Sequence, residues 1–159
     1  MKNIVIILNI AAVLILSACA SSKTSVNERI IEAKGFVEKK DYVISVDYAQ
    51  PMRGGLVHLN GNYDLTVRND SAIAYLPYFG EVQSLPLDMS DGGIKFAEPM
   101  INYQVTPKKK GGGYDVTFKV NAREYRYDFL LSIFDKGASS IIVNSVQRDQ
   151  ITFSGTLKE

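Results

Sequence analysis

Few side chains in this sequence have the types and spacing that bond-making chemistry needs. The chain has 159 residues, with a single His and a single Cys. A Ser–His–acid triad would have to use His58. That residue sits in Leu56-Val57-His58-Leu59, a short apolar strand pattern, and no Gly-x-Ser-x-Gly elbow exists to present a serine. A strand histidine with one wet edge is the plainer reading. One Cys and one His exclude both a disulfide framework and a Cys/His zinc site. Asp88 and Asp91 flank Met89-Ser90, but the Gly-Gly-Ile-Lys-Phe that follows lacks the bidentate Glu of a calcium loop. The 17 acidic residues show no spacing that singles out a pair of the kind glycosidases use. No catalytic residue, metal ligand or cofactor-binding residue is therefore assigned, and a hydrolase using carboxylates ranks last among the functional readings. A net charge of +1, from 18 basic and 17 acidic residues, argues against a nucleic-acid surface.

Cys19 has the most specific surroundings. Met1-Lys2-Asn3 carries one positive charge, and Ile4 to Leu16 is a 13-residue apolar run broken only by Asn9. A run of that length is too short to cross a hydrocarbon core of about 30 Å, and it suits the apolar region of a signal peptide. It ends in Leu16-Ser17-Ala18-Cys19, which resembles a bacterial lipobox. Small residues let the peptidase close on extended backbone before the cut, and the thiol receives the diacylglycerol. Cys19 is thus the expected lipidation site, residues 1–18 a signal peptide and residues 19–25 a tether. Lys2 is the one charge in residues 1–18, so the mature chain balances 17 basic against 17 acidic groups. Acyl chains such as palmitate would then do the anchoring, rather than charge. Ala20 in place of an aspartate, by resemblance to enterobacterial lipoproteins, points to the outer membrane. The absence of an acidic cluster after Cys19 points to its periplasmic face.

Contact chemistry remains. Tyr78 and Phe79 lie between Pro77 and Gly80, where loop-rim aromatics make good contacts for a ligand or a partner. Met52 and Arg53 lie in Gln50-Pro51-Met52-Arg53-Gly54-Gly55, a bend whose arginine can bond a carbonyl or carboxylate. Lys108-Lys109-Lys110 reads as a solvated hairpin tip.

The elements that must position these groups are mostly strands. Ser25-Val26-Asn27-Glu28 has capping-box spacing, and Ile30, Ala33, Phe36 and Val37 recur at helical spacing, which predicts one helix over 26–40. From Tyr42 the period becomes two. Tyr42, Ile44, Val46 and Tyr48 alternate with polar or solvent-side positions. So do Tyr63, Leu65 and Val67; Tyr114, Val116, Phe118 and Val120; Tyr125 to Ile133; and Ile151, Phe153 and Leu157. Asn60-Gly61, Asn69-Asp70 and Asp135-Lys136-Gly137 read as turns. The expected architecture for residues 41–159 is mainly β, an antiparallel meander of about eight or nine strands forming a barrel or sandwich. The stretch 77–100, with three Pro and three Gly, reads as a long packed loop, either a recognition loop or a covering flap.

Several segments together resemble one family. They are the lipobox, Asp47-Tyr48-Ala49-Gln50-Pro51-Met52-Arg53-Gly54-Gly55, Tyr75-Leu76-Pro77-Tyr78-Phe79-Gly80, Asp91-Gly92-Gly93-Ile94-Lys95-Phe96 and the final Ser154-Gly155. The chain resembles a family of small Bacteroidetes lipoproteins catalogued only as a domain of unknown function. The resemblance implies an envelope location and an all-β domain, and it carries no catalytic residues. The expected function is a non-enzymatic periplasmic lipoprotein that binds a small hydrophobic ligand or peptide. The alternative is a structural or assembly factor docking an envelope protein through residues 77–100, with no small-molecule pocket.

Overall fold

The computed structural model describes residues 33–80, 92–110, 112–123, 125–134 and 136–158. Residues 33–39 are helical, and nine strands follow: β1 (Asp41–Pro51), β2 (Val57–Arg68), β3 (Ser71–Leu76), β4 (Ile94–Pro99), β5 (Ile101–Pro107), β6 (Tyr114–Ala122), β7 (Tyr125–Ile133), β8 (Ala138–Ser145) and β9 (Ile151–Lys158). All pair antiparallel in one sheet, in the order β4-β3-β2-β1-β9-β8-β7-β6-β5. The two edge strands, β4 and β5, are consecutive in the chain and separated by Met100 alone. The sheet therefore curls until one bent stretch, 94–107, pairs first with β3 and then with β6. Asn102, at φ 57°, sits where the β5 register shifts, and the Met100 N–H donates to the Asp70 carbonyl. The result is a nearly closed barrel, which protects both edges from pairing with another chain.

Period-two patterning puts the expected faces inward. Phe118, Phe129, Leu131 and Phe153 are all at most 2% exposed. Ala33 and Val37, one helical turn apart, are buried, and Phe36 packs partly on the core. Of the helix expected over 26–40, residues 26–32 lie outside the described residues.

Three local readings are corrected. Asn60-Gly61 is not a turn; it lies inside β2. Between the pairs Val46–Tyr63 and Tyr48–His58, β1 advances two residues and β2 five, so the polar Asn60-Gly61-Asn62 stretch is absorbed as an irregularity within a strand. Tyr48 does not follow Val46 inward. The shift at Asp47 leaves Asp47 and Tyr48 both exposed and returns Ala49 to the core. Gly155 is what lets β9 follow β1 there, because a Cβ on it would lie 1.9 Å from the Ser45 carbonyl oxygen. Finally, the loop read over 77–100 ends early. Residues 94–99 form β4, with Ile94 fully buried and Phe96 packed on the core.

The barrel has two unlike ends. The helix end gathers residues 33–41, 68–71, 107–110, 112–114, 133–134 and 136–138. The loop end gathers residues 51–57, 76–80, 92–94, 122–123, 125 and 145–151.

Candidate binding site at the loop end

A file of aromatic rings runs through the barrel between its ends. Tyr103 stacks on Phe118 (6.2 Å between ring centres) and Phe118 on Phe129 (5.0 Å). Phe96 meets Phe129 edge-on and stacks on Tyr127, both at 5.8 Å, and Tyr127 stacks on Tyr125 (5.8 Å). Such contacts fill the interior with rigid area, so this part of the barrel holds packing rather than a ligand.

A cation stands at each end of the file. At the helix end, the Lys40 ammonium lies 5.1 Å from the Tyr103 ring centre and pairs with Asp70 at 2.7 Å. Tyr103 Oη donates to the Val37 carbonyl (3.0 Å) and meets Tyr42 Oη (3.3 Å), which pins the helix to β5. Burial raises the pKa of both tyrosines, that of Tyr42 well above the ordinary value.

At the loop end the cation is Arg148. Its guanidinium carbon lies 4.0 Å from the Tyr125 ring centre and 4.9 Å from that of Tyr78. One terminal nitrogen donates to the carbonyls of Gly93 (3.2 Å) and Gly92 (3.5 Å). Arg148 is only 5% exposed, yet no carboxylate among the described residues pairs with it. Its Nε and Tyr125 Oη are buried and find no hydrogen-bond partner among the described residues. Burial pushes the Tyr127 hydroxyl up to about 12, against a lowering pull from the Arg148 charge.

The contact residues expected from sequence meet at this end. The Met52 N–H donates to the Gln150 carbonyl, and Tyr78 Oη donates to the Asp149 carbonyl. Both segments thus hang on the 145–150 connection. Met52 is 68% and Phe79 43% exposed; Arg53 is exposed, and Tyr78 is half-buried beside Arg148. Sequence reasoning missed Arg148, Tyr125 and Val146, the last being 81% exposed. One signal was available, an apolar valine two residues before an arginine in a short polar link between two core strands.

A family model described as a domain of unknown function, DUF4251, matches residues 25–157. The chain belongs to the DUF4251 family. A crystal structure of a DUF4251 family protein from Bacteroides eggerthii DSM 20697 has the same fold, with a TM-score of 0.63 at 14% identity over 81% of this chain and 86% of that one. Comparison with curated proteins finds no match. The family resemblance and the all-β architecture read from the sequence both hold.

Elsewhere the DUF4251 domain's polar clusters look structural. His58 is exposed, with Nδ1 2.9 Å from Asn60 Oδ1 and its ring edge-on to Tyr48. Lys108 pairs with Asp115 and donates to Ser132 Oγ (3.1 Å), which itself donates to Asp115 (2.7 Å). Burial pushes the Asp115 carboxyl up, but the hydrogen bonds from Lys108 and Ser132 and the Lys108 charge outweigh it and hold the group below its usual range. That lysine is a charged clamp on the 107–114 turn, with its ammonium committed to a carboxylate. Asp88 and Asp91 lie outside the described residues, and among the described residues no group of acids, His or Cys converges as a metal site would require.

Proposed function

We propose that the DUF4251 domain is the non-enzymatic binding part of an envelope lipoprotein, and that it holds an apolar ligand or peptide at its loop end. The observation that carries this reading is that Met52, Phe79 and Val146, all exposed, share one end of the barrel with a buried arginine whose Nε has no partner among the described residues. Exposed apolar side chains gathered at one end of a domain mark contact surface. The aromatic file fills the part of the barrel between the ends, so the rim is the natural place for a ligand. The commitment of Lys108 to Asp115 and the exposure of the one histidine support a role without catalysis. Leu16-Ser17-Ala18-Cys19 supports acylation at Cys19, which would tether the domain to the periplasmic face of the outer membrane.

Two measurements test this. Cys19→Ala should move the protein from the membrane to the soluble fraction or stall its processing; normal cleavage with continued membrane fractionation would contradict the anchor. The full chain, extracted in mild detergent, should show a bound mass by native mass spectrometry. Met52→Ser with Phe79→Ser should lose that mass with an unchanged far-ultraviolet circular dichroism spectrum. A folded double variant that keeps it places binding elsewhere, and a double variant that unfolds makes the two side chains part of the core.

A further inference from the structure

We infer that Arg148 and Tyr125 form a receptor for a carboxylate carried on an apolar chain, a proposal that rests on the loop-end reading above. A buried hydrogen-bonding group without a partner is costly, and a buried charge more so. Here two buried donors have no partner among the described residues, Arg148 Nε and Tyr125 Oη, and the guanidinium carbon of the one residue lies 4.0 Å from the ring centre of the other. The Arg148 nitrogen that bonds Gly92 and Gly93 fixes the guanidinium in place, and Tyr78 and Tyr125 flank it. Such a group is pre-organised, so little rotamer entropy is lost when an anion arrives.

The neighbouring surface fits the same ligand. An open groove of about 540 Å³ is lined by Asn121, Arg123, Tyr125, Arg126, Val146 and Gln147. Among its described lining residues are two more arginines and no acidic side chain, with Val146 supplying an exposed apolar wall. Arg123 and Arg126 place positive charge beside Tyr125, and an N–H and an O–H can each donate to one oxygen of a carboxylate. Val146 offers apolar area for the chain that carries it, and Met52 and Phe79 are exposed at the same end of the barrel. A fatty acid and the C-terminus of an apolar peptide present this same chemistry.

The test uses the full chain in a nonionic detergent, with octanoate and acetyl-Ala-Leu-Leu as probes and methyl octanoate and the peptide amide as neutral controls. Binding is read by calorimetry and by the Arg148 Nε–H resonance, assigned with Arg148→Lys. The carboxylate probes should bind and shift that resonance, and the neutral controls should not. Tighter octanoate binding identifies a lipid source, and tighter peptide binding a chain terminus. Arg148→Lys should weaken binding by about tenfold or more, and Tyr125→Phe, which keeps the ring stack, by about threefold to tenfold. Equal binding of the neutral controls, tighter binding of inorganic phosphate, or no binding at all overturns the proposal. Binding that appears only in Glu81→Gln/Asp88→Asn/Asp91→Asn overturns it too, by assigning the site to the chain's own carboxylates. If Arg148→Lys keeps the envelope-derived mass while Met52→Ser/Phe79→Ser loses it, the rim reading stands and the carboxylate receptor falls. If both variants keep it, the rim reading itself falls.

Discussion

Lys40 and Arg148 cap the same aromatic file, and they are handled in opposite ways. Lys40 is partly exposed and paired with Asp70, and the hydroxyls beside it bond to each other and to the Val37 carbonyl. Arg148 is almost wholly buried, is hydrogen-bonded among the described residues only to carbonyls, and lies over the ring of a tyrosine whose hydroxyl has no partner among them. Burying a charge against carbonyls and ring faces costs more than pairing it at the surface. The helix end is therefore a closure, satisfied within the chain. The loop end keeps two buried donors without a partner among the described residues.

Breaking the file in the middle should damage both ends at once. Phe129→Ala removes a ring that touches Phe118, Phe96 and Tyr127, and it should cost about 3–5 kcal/mol in urea unfolding. A midpoint within error of the parent would show that the file is not the spine of the core.

Alkaline pH should come next in size. The Tyr127 pKa is raised from about 10 in the unfolded chain to about 12, so its stabilising contribution is complete below pH 10 and is lost as pH rises through 12. At about 1.4 kcal/mol for each unit, the loss from this group is roughly 2–3 kcal/mol. Tyr42, raised in the same direction, adds to it at the helix end. Urea midpoints between pH 9 and 12 should fall, and Tyr127→Phe should flatten part of that fall. An unchanged slope in the variant would move the effect to the helix end alone.

Tyr103→Phe keeps the stack on Phe118 and removes the bond to Val37. It should cost about 1 kcal/mol and leave ligand binding intact. Arg148→Met should stay within about 1 kcal/mol of the parent, because the lost contacts are offset by relief of a buried charge. A loss of 3 kcal/mol or more would make Arg148 a structural pin rather than a receptor. Asp70→Asn, at an exposed pair, should shift stability by less than about 1 kcal/mol.

The sequence disclosed one end far better than the other. Alternation placed Phe118, Phe129 and Phe153 inside because each strand's pattern is local. Asn69-Asp70 was legible for the same reason, since a hairpin turn involves only its own neighbours. Tyr48 and Asn60-Gly61 were misread because the irregularity at Asp47 arises from pairing β1 with both β2 and β9. Strand β4 was hidden by the Pro- and Gly-rich stretch before it. Arg148 was illegible in the strictest sense: among the described residues it packs against Tyr78, Gly93 and Tyr125, which arrive from two other connections. Met52 and Phe79 could be singled out, since bends rich in Pro and Gly that expose large side chains are a local signal, but the bonding of Met52 and Tyr78 to one 145–150 link could not.

Site-specific photo-crosslinking in the intact envelope tests the central claim most directly. A photoreactive side chain is placed singly at Phe79 and Val146 on the loop end, and at Lys109 and Phe134 on the helix end. All four positions are exposed. The account expects one discrete adduct, shared by positions 79 and 146 and absent at 109 and 134. The same adduct at 109 and 134, with none at 79 and 146, would contradict it.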